Sequence, residues 1–470
     1  MSPDRADLDA GPLHELVSSY ASEHHCPTIV WGVVIDGALT ATGSVGSVTE
    51  RTVYRIASMT KSFSAAATML LRDEGVLRLD DRIADHAPEL AALSHADSAP
   101  ITIRDLLSMT SGLPTDDPWA DRHLDLSDDE FDRIIADGLL FAQATGNTFE
   151  YSNFGFALLG RVVRRASGRR IQDVITERFL APLAMDATTW VQPQHDDWAR
   201  PQRWLDDRFV DELEPLADGL IAPMGGLWTT LADLATWVSW LDDAYPARTD
   251  ADRGPLSRAS RREMQTVQRY IGIRTVRGTP APAGYGYGLV LLDEPGLGTV
   301  VTHSGGLPGY GSNMRWVPGR RTGVIALANS TYAPMLELTA RLLDLIAGQG
   351  LVPTPATAVP DHVLVVAHRL IALLGDWDDV DAVALFTTSL VLDDPLDRRR
   401  RSAETLRTEV GALTIRTVEA PTNARGVVRC ESDSGRLVTV TFLLAPPSPP
   451  RIQAFTATVD DTVPPPADTA

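Results

Sequence analysis

Runs with the composition of buried strands occur at two distant places in this chain, and a domain that uses both must bring its ends together. Residues 28–35 read TIVWGVVI, a continuous apolar, β-branched run of the kind found in a sheet covered on both faces. Gly37 marks a turn, and 38–44 return as the second arm of a hairpin. Residues 8–22, just before, carry apolar spacing suited to a helix. Strands come back only near Gly288, at 288–293, 298–302, 315–317 and 322–328, the last two separated by Pro318-Gly319. Between the two sets, roughly 80–280 read as helix and loop. The pattern implies a single sheet built from both ends of a domain, with a helical insertion.

At 470 residues the chain exceeds one ordinary domain. The Pro- and Thr-rich stretch LVPTPATAVP ends a first domain, which is expected over 1–352 with a linker over 353–360. A small α+β domain is expected over 361–459 and a Pro-rich, disordered tail over 460–470. In the small domain, helices at 361–375, 379–388 and 402–410 precede strands near 412–419, 426–432, 436–445 and 451–458. That order resembles the cone-shaped NTF2-like fold.

A formal net charge of −20, spread along the chain, opposes nucleic acid and anionic membrane as partners. Cys26 and Cys430 are too far apart in sequence for a disulfide framework or metal spacing, and no H-E-x-x-H or G-x-S-x-G motif occurs. His24, His25, His86 and His95 read as surface or loop residues. The N-terminus lacks the basic start and apolar run of a secretory signal, and no apolar stretch is long enough to span a bilayer; the cytoplasm is the expected location.

Of the 42 Lys and Arg residues, one is lysine, Lys61. Guanidinium keeps its proton in a protein, whereas a buried ammonium can lose it. Lys61 closes Ser58-Met59-Thr60-Lys61 at the start of a helical pattern (Phe63, Ala66, Ala67, Leu70, Leu71) that ends near Gly75. Positions i and i+3 share a helix face. Ser58 at the helix start is favoured to carry developing negative charge, and a neutral Lys61 can accept its proton.

Two further groups follow in order. Tyr151-Ser152-Asn153 opens a second helix over 154–164. Tyr151 can relay protons if a cation lowers its pKa, and Asn153 offers a donor and an acceptor to Lys61 or to a substrate carbonyl. His303-Ser304-Gly305-Gly306 ends the strand 298–302; its glycines let substrate backbone approach, and its N–H groups can face a site. His303, cationic or neutral near pH 7, could tune its neighbours.

The three elements resemble the S-x-x-K, Y-x-N and K-T-G (or H-x-G) boxes of the penicillin-recognising serine hydrolases, which include class C β-lactamases, DD-peptidases, D-aminopeptidases and related esterases. Order and separations are similar, and so are residues 103–107, 110–113, 225–228 and 305–310; the resemblance covers roughly 10–350. It implies an α/β (α+β) fold, a β-lactamase/transpeptidase-like domain with a central antiparallel sheet flanked by helices and a helical subdomain. It also implies that Ser58 is acylated and then hydrolysed, that Lys61 and Tyr151 share acid–base work, and that Asn153 orients them. The oxyanion hole would use the N–H of Ser58 and of Gly306, with no metal or organic cofactor.

The third box departs from the pattern. It lacks the lysine and has Ser304 in place of threonine, so capture of a substrate carboxylate is weakened or moved. Arg315 on the following strand is a candidate substitute, and Trp119, in the acidic loop TDDPWADR, is a candidate wall beside Ser304 and Gly305. The expected function is a serine hydrolase acting on small esters or short peptides, including D-residue ones. β-Lactamase activity, acyl transfer such as peptide cyclisation, and a non-catalytic binder with an inherited pocket are the alternatives. The expected partner is a small acyl substrate, and a homodimer is left open.

Overall fold

The computed structural model describes residues 8–93, 98–245, 248, 250–252, 254–353 and 359–460. Most of the linker expected over 353–360, nearly all of the tail expected over 460–470, and His95 lie outside the described residues. The chain divides into two compact units, Met1–Thr354 and Pro355–Ala470.

In the first unit, α1 (Gly11–Glu23) leads into a hairpin of β1 (Ile29–Ile35) and β2 (Ala38–Val45), and β3 (Tyr54–Arg55) precedes α2 (Thr60–Asp73). The middle of the chain contributes α3 (Ile83–His86), α4 (Ile103–Leu107), α5 (Asp117–Ala120), α6 (Asp128–Asp137), α7 (Asn153–Ser167) and α8 (Ile171–Ile175). A small hairpin, β4 (Gln202–Leu205) and β5 (Arg208–Asp211), is followed by β6 (Trp228–Thr229), α9 (Leu231–Asp242) and α10 (Arg258–Met264). The strands β7 (Arg269–Val276), β8 (Thr279–Tyr285), β9 (Val290–Glu294), β10 (Gly298–Leu307), β11 (Tyr310–Val317) and β12 (Thr322–Ala328) then run to α11 (Met335–Gly348).

One 8-stranded antiparallel sheet has the order β2-β1-β12-β11-β10-β9-β8-β7. β1 lies directly against β12, with Ile29 opposite Ala328 and Ile35 opposite Thr322, so the two ends of the unit share one sheet. Every residue of β1, β11 and β12 is buried, because helices cover both faces and leave no solvated side for alternation. On one face, Ile29, Trp31, Val324 and Ala326 join Leu13 and Val17 of α1 and Leu338 and Leu342 of α11. On the other, Val30, Val34, Ile325 and Leu327 join Phe63 and Met69 of α2 and Phe156 of α7.

The expectation of helix and loop up to about residue 280 is corrected by β7 and β8. The prolines Pro280 and Pro282 disguise β8. Only Ala283, Gly284 and Tyr285 pair with β9, so the proline-bearing half meets β7 alone and no ladder hydrogen bond is lost on its other side.

In the second unit, α12 (Asp361–Gly375), α13 (Asp379–Leu385), α14 (Thr388–Asp393) and α15 (Leu396–Val410) precede a 4-stranded antiparallel meander. Its strands are β13 (Leu413–Thr422), β14 (Arg425–Ser432), β15 (Leu437–Leu444) and β16 (Ile452–Asp460), in sequential order. The unit has its own core, in which Val366 and Leu370 of α12 meet Val428, Val440 and Phe442. Among the described residues no helix is long and apolar enough to cross a membrane.

Candidate active site

Ser58 sits on a backbone turn that the surrounding structure holds in place. It lies in a single 3-10 turn, Ala57–Met59, between β3 and α2, and not in the first turn of the helix itself. Ala57 adopts φ 50°, a left-handed conformation that costs an alanine about 1 kcal/mol. Three contacts keep it there. Ile56 N–H donates to Leu227 O at 3.0 Å, Ser312 Oγ donates to Ile56 O at 2.9 Å, and β10 presses on the turn through Gly305. A Cβ at Gly305 would stand 2.1 Å from Ile56 O and 3.0 Å from Ala57 Cβ, so only glycine permits the approach.

Lys61, the second residue of α2 and one turn beyond Ser58, is fully buried. Its Nζ lies 2.9 Å from Ser58 Oγ, 2.6 Å from Asn153 Oδ1 and 2.9 Å from Met224 O. Two of these partners are carbonyl oxygens, which only accept. A neutral amine therefore keeps its two N–H on Asn153 and Met224 and turns its lone pair toward the Ser58 hydroxyl. Burial pulls the Lys61 pKa down to about 8, against the upward pull of Asp117, Asp121 and Asp116. At pH 7 about a tenth of the molecules then hold the neutral form, against a few in ten thousand for an ordinary lysine.

Tyr151 stands with its ring centre 4.9 Å from Lys61 Nζ. Burial raises its pKa well above the ordinary phenol value, the neighbouring Tyr285 adds to this, and a hydrogen bond with Ser58 works the other way. Tyr151 is thus held as a phenol, and the condition of a lowered pKa set by the sequence reading is not met. His303 lies beside it, ring centres 6.5 Å apart. Burial, helped by Lys61, pushes the His303 pKa down to about 3, so the ring is neutral and not cationic. Nδ1 meets Ser304 O at 2.7 Å and so carries the hydrogen, which leaves Nε2 to accept from Tyr285 OH at 3.5 Å.

Asn153 opens α7, and its orientation comes from the loop before it. Asp116 caps the helix, accepting from the N–H of Asn153 at 2.7 Å and of Phe154 at 2.8 Å. Asp117 Oδ1 accepts from Asn153 Nδ2 at 2.6 Å, which aims Oδ1 at Lys61. Asp121 is also buried; it accepts from Tyr332 OH at 2.8 Å, and burial lifts its pKa to about 7. The sequence reading missed Asp116, Asp117, Asp121, Tyr285 and Tyr332. The signal available was the TDDPWADR loop itself, from which the tryptophan was chosen. Trp119 is corrected here: its ring stacks on His123 and leans on Phe154, and it does not line the cavity at Ser58, whereas Asp117 and Asp121 do.

Arg315 is also corrected. It shares strand parity with Val317, which packs under α1 and α11, so it lies on the sheet face opposite Ser58. It is fully buried and donates to Glu294, which also binds Arg277 at 2.9 Å. It cannot serve a substrate.

Ser304, Gly305 and Gly306 border the cavity over Ser58, of about 340 Å³. The Leu307–Tyr310 hairpin register makes Gly306 and Gly311 a non-hydrogen-bonded pair, so the Gly306 N–H points away from β11. β9 stops pairing at Thr302, which leaves that edge open. A larger adjoining cavity, about 900 Å³, shares Asp117, Tyr151 and Ser304 and extends past His303 and Tyr285 to Arg274. Among the described residues no group of three His, Cys, Asp or Glu side chains could hold a metal ion.

The Beta-lactamase family model matches residues 13–349. Protein flp of Staphylococcus aureus (strain MW2) is 28% identical over 299 residues, 61% of this chain and 55% of its own length, so the chain spans about half the length of that curated relative. Penicillin-binding protein 4 of Amycolatopsis lactamdurans is 29% identical over 368 residues, 73% of this chain and 91% of the relative. An octameric penicillin-binding protein homologue from Pyrococcus abyssi is similar in structure, with TM-score 0.63 at 20% identity over 93% of this chain and 97% of its own. So is a D-stereospecific amidohydrolase from Streptomyces sp., with TM-score 0.57 at 21% identity over 73% of this chain and 98% of its own. At these identities the two structures show the fold, a β-lactamase/transpeptidase-like one.

Proposed function

The chain belongs to the Beta-lactamase family, a serine hydrolase superfamily, and from that premise we propose that it hydrolyses small esters or short peptides through an acyl-enzyme on Ser58. The observation that carries the reading is the geometry of Lys61, whose acceptor-only partners turn a neutral amine's lone pair onto Ser58 Oγ. Lys61 takes the Ser58 proton as Oγ bonds to the substrate carbonyl carbon. The N–H groups of Ser58 and Gly306 receive the oxyanion. The Tyr151 phenol gives its proton to the leaving group and regains one from the Lys61 ammonium, so no net charge is left behind. A water then repeats the cycle on the acyl-enzyme, losing its proton to Lys61 and releasing the acid.

Arg274 in the larger cavity offers the cation for a leaving-group carboxylate that the third box lacks. A cytoplasmic location is part of the proposal, supported by two buried, unpaired cysteines. Intact-mass analysis after incubation with a fluorophosphonate tests the reading. One adduct, mapped to Ser58 and lost in Ser58→Ala, is expected; an unmodified wild-type protein would reject it.

A further inference from the structure

This inference rests on the serine-hydrolase reading above and concerns what the acyl group must carry. The charged side chains lining the cavity over Ser58, among the described residues, are two carboxylates, Asp117 and Asp121; no Lys, Arg or His lines it. Asp121 is only 5% exposed. One of its oxygens accepts from Tyr332, and among the described residues no cation forms an ion pair with it. The adjacent Arg122 is taken by Glu212 at 3.3 Å. Asp117 uses one oxygen on Asn153 and, among the described residues, has no cation in ion-pair contact. The Lys61 ammonium spends its bonds on Ser58, Asn153 and Met224, and on neither carboxylate. Burial makes the charged form of Asp121 costly and lifts its pKa to about 7, with Lys61 as a cation at longer range, so a cation that visits the cavity would hold the carboxylate in its charged form.

The cavity wall also fixes which part of a substrate would meet these groups. Tyr151, which protonates the leaving group, opens toward His303, Tyr285 and the larger cavity. The acyl portion is left the opposite side, where Gly306, Tyr332 and Asp121 stand, with Asp117 on the border shared by the two cavities. We propose that the acyl group carries an ammonium close to the scissile carbonyl, as in an aminoacyl ester or a peptide with a free N-terminus, and that Asp117 and Asp121 bind it.

The same two carboxylates raise the affinity of Lys61 for its proton. An ammonium seated between them cancels that pull, so binding the right substrate helps Lys61 become the base. The other groups facing Lys61 do not compete in this range: Asp116 is spent on the helix start, Tyr151 stays a phenol and His303 is neutral. The rate limb assigned to Lys61 therefore lies at lower pH for an aminoacyl substrate than for its des-amino analogue.

The test uses the full chain and three p-nitrophenyl esters, of D-alanine, L-alanine and propionic acid, which differ in the ammonium and its placement. One alanyl ester should exceed the propionyl ester in kcat/KM by about a hundredfold, and Asp121→Asn, which can keep the Tyr332 bond, should cut that ratio about tenfold. Fluorophosphonate labelling of Ser58 in the variant reports that it is folded. If Asp121→Asn does not label, the pH limbs of the wild-type protein on the two ester classes decide instead, and coincident limbs would overturn the proposal. Equal or better turnover of the propionyl ester by a wild-type protein that labels at Ser58 rejects the ammonium and spares the hydrolase. A wild-type protein that does not label removes both.

Discussion

Asp117 accepts from Asn153 Nδ2 at 2.6 Å, and that bond decides which end of the amide Lys61 meets. A carboxylate only accepts, so the amide nitrogen must face Asp117 and the carbonyl must face the amine. Asp117 is a positioning residue with a second, electrostatic effect on the same lysine, and two substitutions separate them. Asp117→Ala frees the amide to turn and should lower plateau kcat about 10- to 100-fold, the worth of a hydrogen bond to a charged group. Asp117→Asn can keep an acceptor but drops the charge that raises the Lys61 pKa, so its activity limb should move to lower pH. Steady-state pH profiles of both variants check this; a limb that stays in place in both would mean Asp117 does not act on Lys61.

Lys61→Arg keeps a cation but removes any chance of a neutral base. It should lower kcat by roughly a thousandfold or more, with secondary structure retained by circular dichroism. Lys61→Met, which keeps length without charge in this fully buried position, should be equally inactive. Near-normal turnover in Lys61→Arg would place the base elsewhere.

With a neutral acyl substrate, kcat/KM should rise with pH and level off above about 8, because the active form of Lys61 is the deprotonated one. Asp121, at about 7, titrates just below and blurs the limb; in Asp121→Asn one step should remain, shifted to lower pH by loss of a nearby carboxylate. His303 contributes no step near its ordinary value, since burial holds it neutral down to about 3. A clean limb near 6.5 that vanishes in His303→Asn would contradict this.

Arg315→Met should lower stability and spare specificity. The change leaves Glu294 with Arg277 as its remaining partner in a buried setting, a loss of up to about 3 kcal/mol. Thermal melts should show it, while KM for carboxylate-bearing substrates stays within about twofold. A selective rise in KM for those substrates would return Arg315 to the site.

What the sequence made legible was whatever depends on local pattern. The runs 28–35 and 322–328 are buried on both faces and apolar throughout, and they announce a central sheet. Ser58 and Lys61 share one turn, and Tyr151-Ser152-Asn153 stands at a helix start, where α7 begins at Asn153. What it hid depends on tertiary placement. An acidic loop reads as a solvated face until α7 is seen to need Asp116 as a cap and Asn153 to need Asp117 as an anchor. Arg315 passes for a surface residue because nothing local reveals Glu294, 21 positions away, beneath the sheet. Pro280 and Pro282 spoil a strand pattern that only the limited reach of β9 makes tolerable.

The pairing of Ile29 with Ala328 has a consequence for how the chain is made. Closing a loop of roughly 300 residues costs on the order of 5 kcal/mol in chain entropy before that seam yields any contact. During synthesis Ser58 leaves the ribosome long before Gly305, which presses its turn into shape, and before Gly306, whose N–H faces the site. A nascent or truncated chain that stops short of β10 therefore carries an unarmed serine. The candidate site is complete only when the final strands dock.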